Sequence, residues 1–431
     1  MAEEYDFDVA IVGAGPAGIA AALTLAQAGK EVVLVERGQY PGAKNVSGAA
    51  LYGPILHELV PEYWDEENVF ERFLTTKKIT LLSESRSVTI NADLRNFNQP
   101  PYNGITIIRP KFDRWLAEKA EKAGAMILPD TMVEDLVWRD KQIIGVKSGN
   151  EELKAKIVII AEGANNLLVE KAKLAKKPKP KHYAVGMKET YKLPKEIIEE
   201  RFNLLENEGL SNEILGNSRG IPGGGFLYTN KDTLSFGLIL NMNVLTKKKL
   251  QAFDVLEDFK NHSYIRKLLK DAEMIEYSAH IIPEGGYKHM PKLYGNGVLV
   301  VGDAAGMVLN AGLYIEGINF ALESGRIAGK AAIQILERGN FTKKETILYK
   351  KMLKNSFVYK DLKTFKRAAH FLENPLMFTA VPDFLTGLME KLLRNNSQPR
   401  KRIVTTAIWY VLRKTPLWGM FRLILGAVRS L

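Results

Sequence analysis

The first forty residues carry the pattern that most restricts how this chain can fold. An apolar segment at residues 8–12 runs directly into a Gly-x-Gly-x-x-Gly motif at residues 13–18, and a second apolar segment ends at Glu36. The spacing predicts a strand, a tight turn, a helix and a second strand. In such a unit the glycines permit the turn, the approach of a pyrophosphate and close helix–strand packing. We therefore predict a dinucleotide site, in which Glu36 favours ribose hydroxyls over a 2′-phosphate; the alternative is a coincidental glycine-rich turn.

Composition limits the remaining possibilities. The chain has 431 residues, enough for two to three domains with a sizeable core. It contains no cysteine, which excludes disulfides, a thiolate nucleophile and a cysteine-ligated iron–sulfur cluster in this chain. The six histidines lack the spacing of metal ligands, so no metal site is predicted. The first predicted strand begins close to the N-terminus, and we expect no signal peptide.

The formal net charge of +11 is concentrated near the C-terminus, because the chain carries nine basic and no acidic residues after Glu390. Apolar, aromatic blocks between these charges are shorter than the ~20 residues that span a bilayer. They include Trp409, Tyr410 and Trp418. This pattern is typical of a helix lying in the membrane interface, so we expect residues 400–431 to hold the protein peripherally on the cytoplasmic face of the membrane. The alternatives are docking on the chain's own core, or nucleic acid, which the alternation with large apolar residues disfavours.

The hydrophobic pattern predicts an α/β protein of several parts. A helix is predicted at 112–123, a hairpin around 136–147, and buried strands at 157–161 and 297–301. Alternating strands at 226–230 and 234–240 predict an antiparallel sheet. We expect three regions with the following boundaries: a discontinuous nucleotide-binding domain at 1–80, 105–175 and 290–338; a substrate domain at 81–104 and 176–289; and a helical, basic region at 339–431.

A second motif makes the cofactor more specific. Gly302-Asp303 directly follows the last predicted strand, and with the N-terminal motif it resembles flavoproteins whose FAD-binding domain is like that of aromatic hydroxylases. That resemblance implies a Rossmann-like FAD-binding domain, in which Asp303 hydrogen-bonds the ribityl chain. It also implies that the segment from Gly312 to Ala321 aims a helix N-terminus at the pyrimidine edge of the flavin, where its positive end stabilises the reduced, anionic form.

Further runs of sequence are similar to the FixC-like family, which is related to electron-transfer-flavoprotein:quinone oxidoreductase. The most distinctive are Pro-Gly-Ala-Lys-Asn at 41–45 and Gly-Gly-Gly-Phe-Leu-Tyr-Thr-Asn at 223–230; others lie at 109–116, 283–286 and 302–307. The resemblance covers most of the chain. It implies that the loop at 41–48 passes the isoalloxazine ring and that the sheet carrying residues 223–230 forms the floor of a quinone pocket.

The resemblance implies two sets of site residues. The FAD-binding set is Gly13, Ala14, Gly15, Pro16, Ala17, Gly18, Glu36, Arg37, Ala43, Lys44, Asn45, Ser47, Gly48, Arg109, Val133, Gly163, Gly302, Asp303, Gly312 and Ile315. The quinone set is Gly224, Phe226, Tyr228, Tyr314 and Glu316. The role of Lys44 stays open between a hydrogen bond to the flavin ring, neutralisation of a phosphate and simple solvation. Of Arg109 and Arg114, we favour Arg109 as a fork donor to the pyrophosphate, because it precedes the helix.

The chain departs from the family pattern in three ways. Glu162-Gly163 stands where relatives usually have Asp-Gly, and the longer carboxylate is expected to reach the same backbone partners. Glu316 stands where arginine is common, which reverses the local charge. The larger oxidoreductases carry an iron–sulfur domain with four cysteines, whereas this chain has no cysteine. FixC-like proteins also lack that domain, and the resemblance to them implies a separate ferredoxin-like subunit.

The resemblance implies an electron relay without a nucleophile. FAD would receive electrons from an electron-transfer flavoprotein of alpha and beta subunits, through the ferredoxin-like subunit, and pass them to a membrane quinone, menaquinone above all. An electron-bifurcating complex is compatible with this arrangement. Three alternatives remain at this point: a prenyl (geranylgeranyl) reductase, an aromatic hydroxylase, and a membrane scaffold that holds FAD structurally.

Overall fold

The computed structural model describes residues 5–45, 48–67, 69–175, 179–395, 397, 399, 402–406, 410 and 426–431. The elements of the first half are β1 (Phe7–Val12), α1 (Pro16–Gln27), β2 (Val32–Val35), β3 (Ala49–Tyr52), α2 (Ile55–Leu59), β4 (Arg72–Leu82), β5 (Ser87–Asp93), β6 (Gly104–Ile107), α3 (Arg109–Lys122), β7 (Met126–Leu128), β8 (Asp135–Arg139), β9 (Gln142–Ser148), β10 (Glu151–Ile160) and α4 (Leu167–Lys171).

The second half begins with the strands and helices of a larger sheet and ends in helices. Its elements are β11 (Tyr183–Lys192), α5 (Lys195–Phe202), β12 (Glu208–Gly216), β13 (Gly223–Thr229), β14 (Thr233–Asn241), α6 (Met242–Lys247), α7 (Ala252–Lys260), α8 (Ser263–Leu268), β15 (Glu273–Pro283), β16 (Tyr294–Gly295), β17 (Val298–Val300), β18 (Leu309–Asn310), β19 (Ile315–Glu316), α9 (Ile318–Arg338), α10 (Lys343–Leu353), α11 (Phe357–Thr364), α12 (Ala368–Leu372) and α13 (Ala380–Leu393).

The smaller sheet has the strand order β16-β17-β10-β1-β2-β7, and the hairpin β8–β9 extends β10. β1, β2, β7, β10 and β17 run parallel, and their apolar runs are buried because helices cover the sheet. Helix α1 packs very closely on α9: a β-carbon added at Gly325 would lie 2.0 Å from the carbonyl oxygen of Ala17. The parallel strands at 7–12, 32–35, 151–160 and 298–300 therefore come from distant parts of the chain, and their carboxyl ends meet at one edge.

The larger sheet has the strand order β15-β11-β14-β13-β12-β4-β6-β3, with β5 paired to β4. We expected an antiparallel sheet; the structure corrects this to a mixed one, because β12 pairs with β4 in parallel from Glu208 to Gly216. Strands β3 and β4 belong to this sheet, so the expected boundary at residue 80 falls inside β4. The pairing of β4 with β12, which lies more than a hundred residues later in the chain, makes β4 part of the larger sheet.

The helical C-terminal region packs partly on the chain itself. Phe371 of α12 lies against Gly426, and Leu431 lies near Gly312. Helix α13 exposes a stripe of apolar side chains, formed by Leu385, Met389 and Leu393. Trp409 and Trp418 lie outside the described residues, as do most of the residues expected at the membrane.

Two further features of the described residues concern membranes and metals. None of the helices that the structure describes is both long and apolar enough to cross a bilayer. Nor do these residues include a group of three or more acids and histidines suited to a metal ion.

Candidate functional site

A cavity of about 620 Å³ lies at the carboxyl ends of β1, β2, β10 and β17, where parallel sheets bind their ligands. Thirteen residues of the predicted FAD-binding set line it: Gly13, Gly15, Pro16, Ala17, Glu36, Arg37, Lys44, Asn45, Arg109, Val133, Gly163, Gly302 and Asp303. They come from segments spread over about 290 positions of the chain, and the fold brings them together.

The turn between β1 and α1 has the geometry of a phosphate-binding turn. Gly13 has a φ of +102°, and a β-carbon there would lie 2.5 Å from the carbonyl oxygen of Ala161. A β-carbon at Gly18 would lie 2.0 Å from the carbonyl oxygen of Gly13, whereas one at Gly15 would meet nothing within 4 Å. Gly13 and Gly18 are thus required by the packing, and Gly15 keeps space open in front of the N-terminus of α1.

Glu36 is fixed at the end of β2 by two backbone amides. The N–H of Ala14 donates to Oε2 at 2.8 Å, and the N–H of Gly38 donates to Oε1 at 2.7 Å. A carboxylate oxygen has further lone pairs, so each oxygen can also accept a ribose hydroxyl. Ala14 does not line the cavity itself; it holds the acid that does.

Arg109 and Asp303 form the charged end of the cavity. Burial raises the pKa of Asp303 to about 6, although the nearby Arg109 guanidinium lowers it. The guanidinium fork of Arg109 is directed at Asp113, with Nε donating to Oδ1 at 2.9 Å and Nη2 to Oδ2 at 2.7 Å. Asn45 donates to the same carboxylate at 2.7 Å. Because Asp113 engages this fork, Arg109 supplies the cavity with positive charge from a fixed position.

The contacts of Glu162 show what the longer acid does at the position where relatives usually have aspartate. Its carboxylate accepts from the N–H of Leu168 at 3.0 Å and of Val169 at 2.9 Å, at the start of α4. Burial raises the pKa of Glu162, and these backbone hydrogen bonds oppose that rise. The longer acid thus spans from the end of β10 to the next helix.

Sequence reasoning missed the contribution of the larger sheet to the cavity. His280 and Ile282 of β15 line it, as do Val308 and Gly317. Burial, Arg109 and Arg37 lower the pKa of His280. No local motif marks these positions, because β15 reaches the cavity only through its pairing with β11.

The remaining predicted FAD-binding residues lie beside the cavity or apart from it. Gly18, Ala43 and Gly48 do not line it, and Ser47 lies outside the described residues. Gly312 and Ile315 belong to the short hairpin β18–β19. The helix N-terminus expected within the segment from Gly312 to Ala321 lies at Ile318, after the hairpin in which Leu309 pairs with Glu316 and Asn310 with Ile315. Gly317, immediately before that helix, lines the cavity.

The predicted quinone residues fall into two groups. Phe226 and Tyr228 stack on the larger sheet, with ring centroids 5.2 Å apart. Tyr314 lies half-exposed on the hairpin, 5.6 Å from the ring of Phe365, and Glu316 accepts a hydrogen bond from Asn319. Gly224 is on β13, on the same strand as the aromatic pair.

Two lysines link these groups to the rest of the site. Lys77 of β4 donates to the carbonyl oxygen of Leu313 at 3.0 Å and pairs with Glu213 at 3.2 Å, which ties the hairpin to the sheet. Lys188 of β11 donates to the carbonyl oxygen of Gly48 and lies 5.6 Å from the centre of the Phe226 ring. Burial and Arg109 lower the pKa of Lys188 to about 7.

A second, narrow cleft of about 80 Å³ adjoins the cavity, and the two share Ile282 and Val308. Its lining is mostly apolar and includes Ile239, Leu309, Ile315, Leu362, Phe365, Leu372 and Phe378. None of the five predicted quinone residues lines this cleft. The helices α11 and α12 close it from the C-terminal side.

The cavity fits FAD by its own geometry. The open space at Gly15, the fixed acid at Glu36 and the buried carboxyl of Asp303 would hold the pyrophosphate, a ribose and the ribityl chain of the dinucleotide. The fold and the site therefore define the class, an FAD-dependent oxidoreductase. The family model for FAD dependent oxidoreductase matches residues 8–171.

Two further models match the rest of the chain: ETF-QO, ubiquinone-binding, at 183–282, and the ETF-QO/FixC family C-terminal domain at 368–431. Protein FixC of Escherichia coli K12 is 39% identical over 94% of this chain and 95% of its own length. A probable electron transfer flavoprotein-quinone oxidoreductase, YdiS, of the same organism is 37% identical over 92% of both chains. The chain belongs to the FixC family, which confirms the resemblance predicted from its motifs.

Solved structures support the fold alone. A geranylgeranyl bacteriochlorophyll reductase-like protein from Thermoplasma acidophilum superposes with a TM-score of 0.71, covering 97% of this chain and 99% of that chain at 21% identity. The similarity extends over the nucleotide-binding and larger sheets together.

Proposed function

We propose that this protein passes electrons from an electron-transfer flavoprotein through FAD to a membrane quinone. The observation that carries the proposal is the apolar cleft that adjoins the FAD cavity and shares Ile282 and Val308 with it. An apolar lining suits a lipid-soluble acceptor, and the shared residues would bring such an acceptor next to the cofactor. The names of the FixC and YdiS relatives support the same assignment.

FAD supplies the two-electron redox chemistry when it is bound, and the residues of the chain hold and orient it. Glu36 and the amides at the start of α1 bind the adenosine half. Asp303 accepts from the ribityl chain, and Arg109 keeps positive charge nearby. Val308 and Ile282 are apolar residues shared by the two cavities.

The acceptor is proposed to be menaquinone. The cleft supplies an apolar surface for its ring, with Asn241, Asn310 and Tyr287 as the neutral polar groups in the lining. Phe226 and Tyr228, with Gly224, Tyr314 and Glu316, remain a predicted second surface for the quinone on the neighbouring sheet.

The partners are proposed to be the alpha and beta subunits of the flavoprotein and a ferredoxin-like iron–sulfur subunit. The lack of cysteine supports the separate subunit, because no cluster can be ligated by thiolates of this chain. An electron-bifurcating complex is part of the proposal, with the bifurcating step in the partner flavoprotein.

Membrane attachment is proposed to be peripheral, on the cytoplasmic face. The exposed stripe of α13 and the basic segment that follows it together support interfacial binding. A quinone remains in the bilayer, so an apolar surface at the interface shortens its path to the cleft.

The test is an anaerobic reconstitution of the complex in mild detergent. We expect the flavin absorbance to bleach with reduced electron-transfer flavoprotein and to return with a menaquinone analogue, more slowly with a ubiquinone analogue. Return only with a prenyl double-bond substrate would identify a reductase, and consumption of oxygen with hydroxylation would identify a hydroxylase. A flavin that responds to no donor or acceptor would indicate that the protein is a scaffold in which FAD is structural.

A further inference from the structure

Three cavities of this molecule share lining residues. The FAD cavity and the apolar cleft have Ile282 and Val308 in common. The apolar cleft shares Lys181, Pro283 and Gly286 with an open cleft of about 480 Å³. This second cleft is basic, and its lining includes Lys179, Lys181, Lys292, His182 and His289. Glu284 lines the apolar cleft, and its chain neighbours Pro283 and Gly285 line the basic cleft.

The backbone of Glu284 is held in place directly after β15 ends. Its N–H donates to the carbonyl oxygen of His182 at 2.8 Å. The side chain lines the apolar cleft together with Asn310, whose hydrogen bond lowers the pKa of the acid. The Oδ1 atom of Asn310 accepts from the N–H of Gly312 at 3.2 Å.

The surroundings set the proton affinity of Glu284. Burial raises its pKa to about 7, and the charge of Glu373 adds to that rise, while Asn310 lowers it. The other titratable groups in the lining of the apolar cleft are Lys181 and Tyr287, and those of the basic cleft are its lysines, its histidines and Tyr183. A carboxyl with this pKa is able both to hold and to release a proton near neutral pH.

The basic cleft offers a route for protons from solvent to Glu284. The rings of His182 and His289 lie with their centroids 3.8 Å apart, and Nδ1 of His289 is 2.7 Å from the carbonyl oxygen of Gly285. Burial, together with the positive charges of His289, Lys181 and Lys179, lowers the pKa of His182 to about 4. His182 is therefore neutral at physiological pH and able to pass a proton on.

Reduction of a quinone requires two electrons and two protons. Reduced, anionic FAD would supply both electrons and one proton, so one proton must come from elsewhere, and Glu284 is a carboxyl group in the lining of the apolar cleft. We propose that Glu284 donates this second proton to the quinone and is reprotonated from the basic cleft. The O–H bond of its carboxyl group breaks as a quinone O–H bond forms, flavin is oxidised, quinone is reduced, and the carboxylate then takes a proton from water. This inference rests on the proposed function.

The decisive variant is Glu284→Gln, which retains the hydrogen bond from Asn310 but has no acidic proton. In the reconstituted complex, with flavin reduced chemically, we expect reoxidation by a menaquinone analogue to slow by about 100-fold, the lower range for loss of a general acid. Wild-type reoxidation should slow as pH rises above about 7, because the donor becomes deprotonated, and the variant should lose this pH dependence. Glu284→Asp should recover part of the rate.

Ferricenium, an acceptor that takes electrons without protons, separates proton delivery from structural damage. Wild type and Glu284→Gln should reoxidise equally with it, and Glu273→Gln, the same change at the exposed start of β15, should match wild type with both acceptors. Equal loss with ferricenium, or an unchanged rate with quinone, would overturn the role of Glu284. Failure of the wild type with quinone but not with ferricenium would instead overturn the proposed function.

A readout without turnover completes the test. Infrared difference spectra of the FAD-loaded protein should contain the carbonyl stretch of a protonated carboxyl group that disappears as pH rises through about 7, and Glu284→Gln should lack this band. An identical band in the variant would assign the titration to another acid and contradict the proposal.

Discussion

The FAD cavity and the apolar cleft meet at Ile282 and Val308, yet they are built in different ways. The walls of the cavity are short motifs at strand ends, and backbone atoms do much of the work: Gly13, Gly15 and the amides that hold Glu36. The cleft is assembled from single side chains on β15, the β18–β19 hairpin and the C-terminal helices. Backbone sites follow local rules of conformation, whereas side-chain sites depend on which distant elements pack together.

The two sheets behind these sites differ in the same way. The smaller sheet buries aliphatic strands such as Ile157–Ile160. The larger sheet buries polar groups at its parallel junction, among them Arg72, Thr80 and Asn212, and Thr80 donates to Asn212 at 2.9 Å. Aliphatic packing tolerates exchange of similar residues, while a satisfied buried polar network fixes one register and makes each member costly to remove.

The largest expected effect tests this difference in the larger sheet. Arg72 is 1% exposed, donates to the carbonyl oxygens of Asn230, Glu208 and Lys231, and pairs with Glu199 at 3.0 Å. Arg72→Met should lower the free energy of unfolding by about 3–5 kcal/mol, because these buried acceptors and the acid lose their partner. Urea unfolding measures it.

Arg95→Met is the control, because Arg95 is exposed and pairs with the half-exposed Asp93 at 3.5 Å. Its effect should stay within about 0.5 kcal/mol. Following the flavin as well as the circular dichroism shows whether the two sheets unfold together; equal stability of the two variants would contradict the contrast between the sheets.

The next effect concerns the charged end of the FAD cavity. Because the pKa of Asp303 rises from 3.8 to about 6 on folding, FAD-free protein should lose stability as pH rises from about 4 to about 6, by at most about 3 kcal/mol. Asp303→Asn should abolish that loss, so that the variant is more stable than wild type at pH 7 and not below pH 4, while FAD binding weakens. Thermal unfolding across this pH range measures it; parallel pH profiles would refute the assignment.

Two alanine substitutions in the turn between β1 and α1 test how backbone atoms form the FAD cavity. Gly18→Ala places a methyl group against the carbonyl oxygen of Gly13 and should cost about 1–3 kcal/mol of stability. Gly15→Ala meets no protein atom, so it should leave the FAD-free protein stable and weaken FAD binding at least about tenfold, roughly 1.4 kcal/mol. Denaturation and fluorescence titration with FAD measure the pair. Equal effects on stability would mean that the two glycines serve the same purpose.

The smallest expected effect concerns membrane binding by helix α13. Leu393 is 71% exposed in the apolar stripe of α13, and Leu393→Asp should weaken binding to anionic phospholipid vesicles by about tenfold without loss of stability. Leu205→Asp is the control, because Leu205 is 58% exposed but lies outside the stripe. Vesicle sedimentation measures the binding of both variants. Equal binding by the two would contradict the assignment of α13 to the membrane-binding surface.

Much of the fold could be predicted from sequence. The β1–α1–β2 unit, the strand before Gly302 and the strands β13 and β14 were predicted within a few residues of their bounds, because hydrophobic period and glycine position act locally. The parallel pairing of β12 with β4 was not predicted, since no local signal records a partner more than a hundred residues away. For the same reason the short hairpin β18–β19 at 309–316 was not predicted.

The site divides along the same line. The sequence alone determined the cofactor class, because Gly13, Gly15, Gly18 and Glu36 are dictated by the backbone conformation and hydrogen bonds that a dinucleotide requires. Only the tertiary structure decided that Asp113 engages the fork of Arg109, that β15 brings His280 to the cofactor, and that Glu284 lines the apolar cleft. Conformational preferences act over a few residues and can be read along the chain, whereas desolvation, charge and cavity shape arise only when distant elements pack.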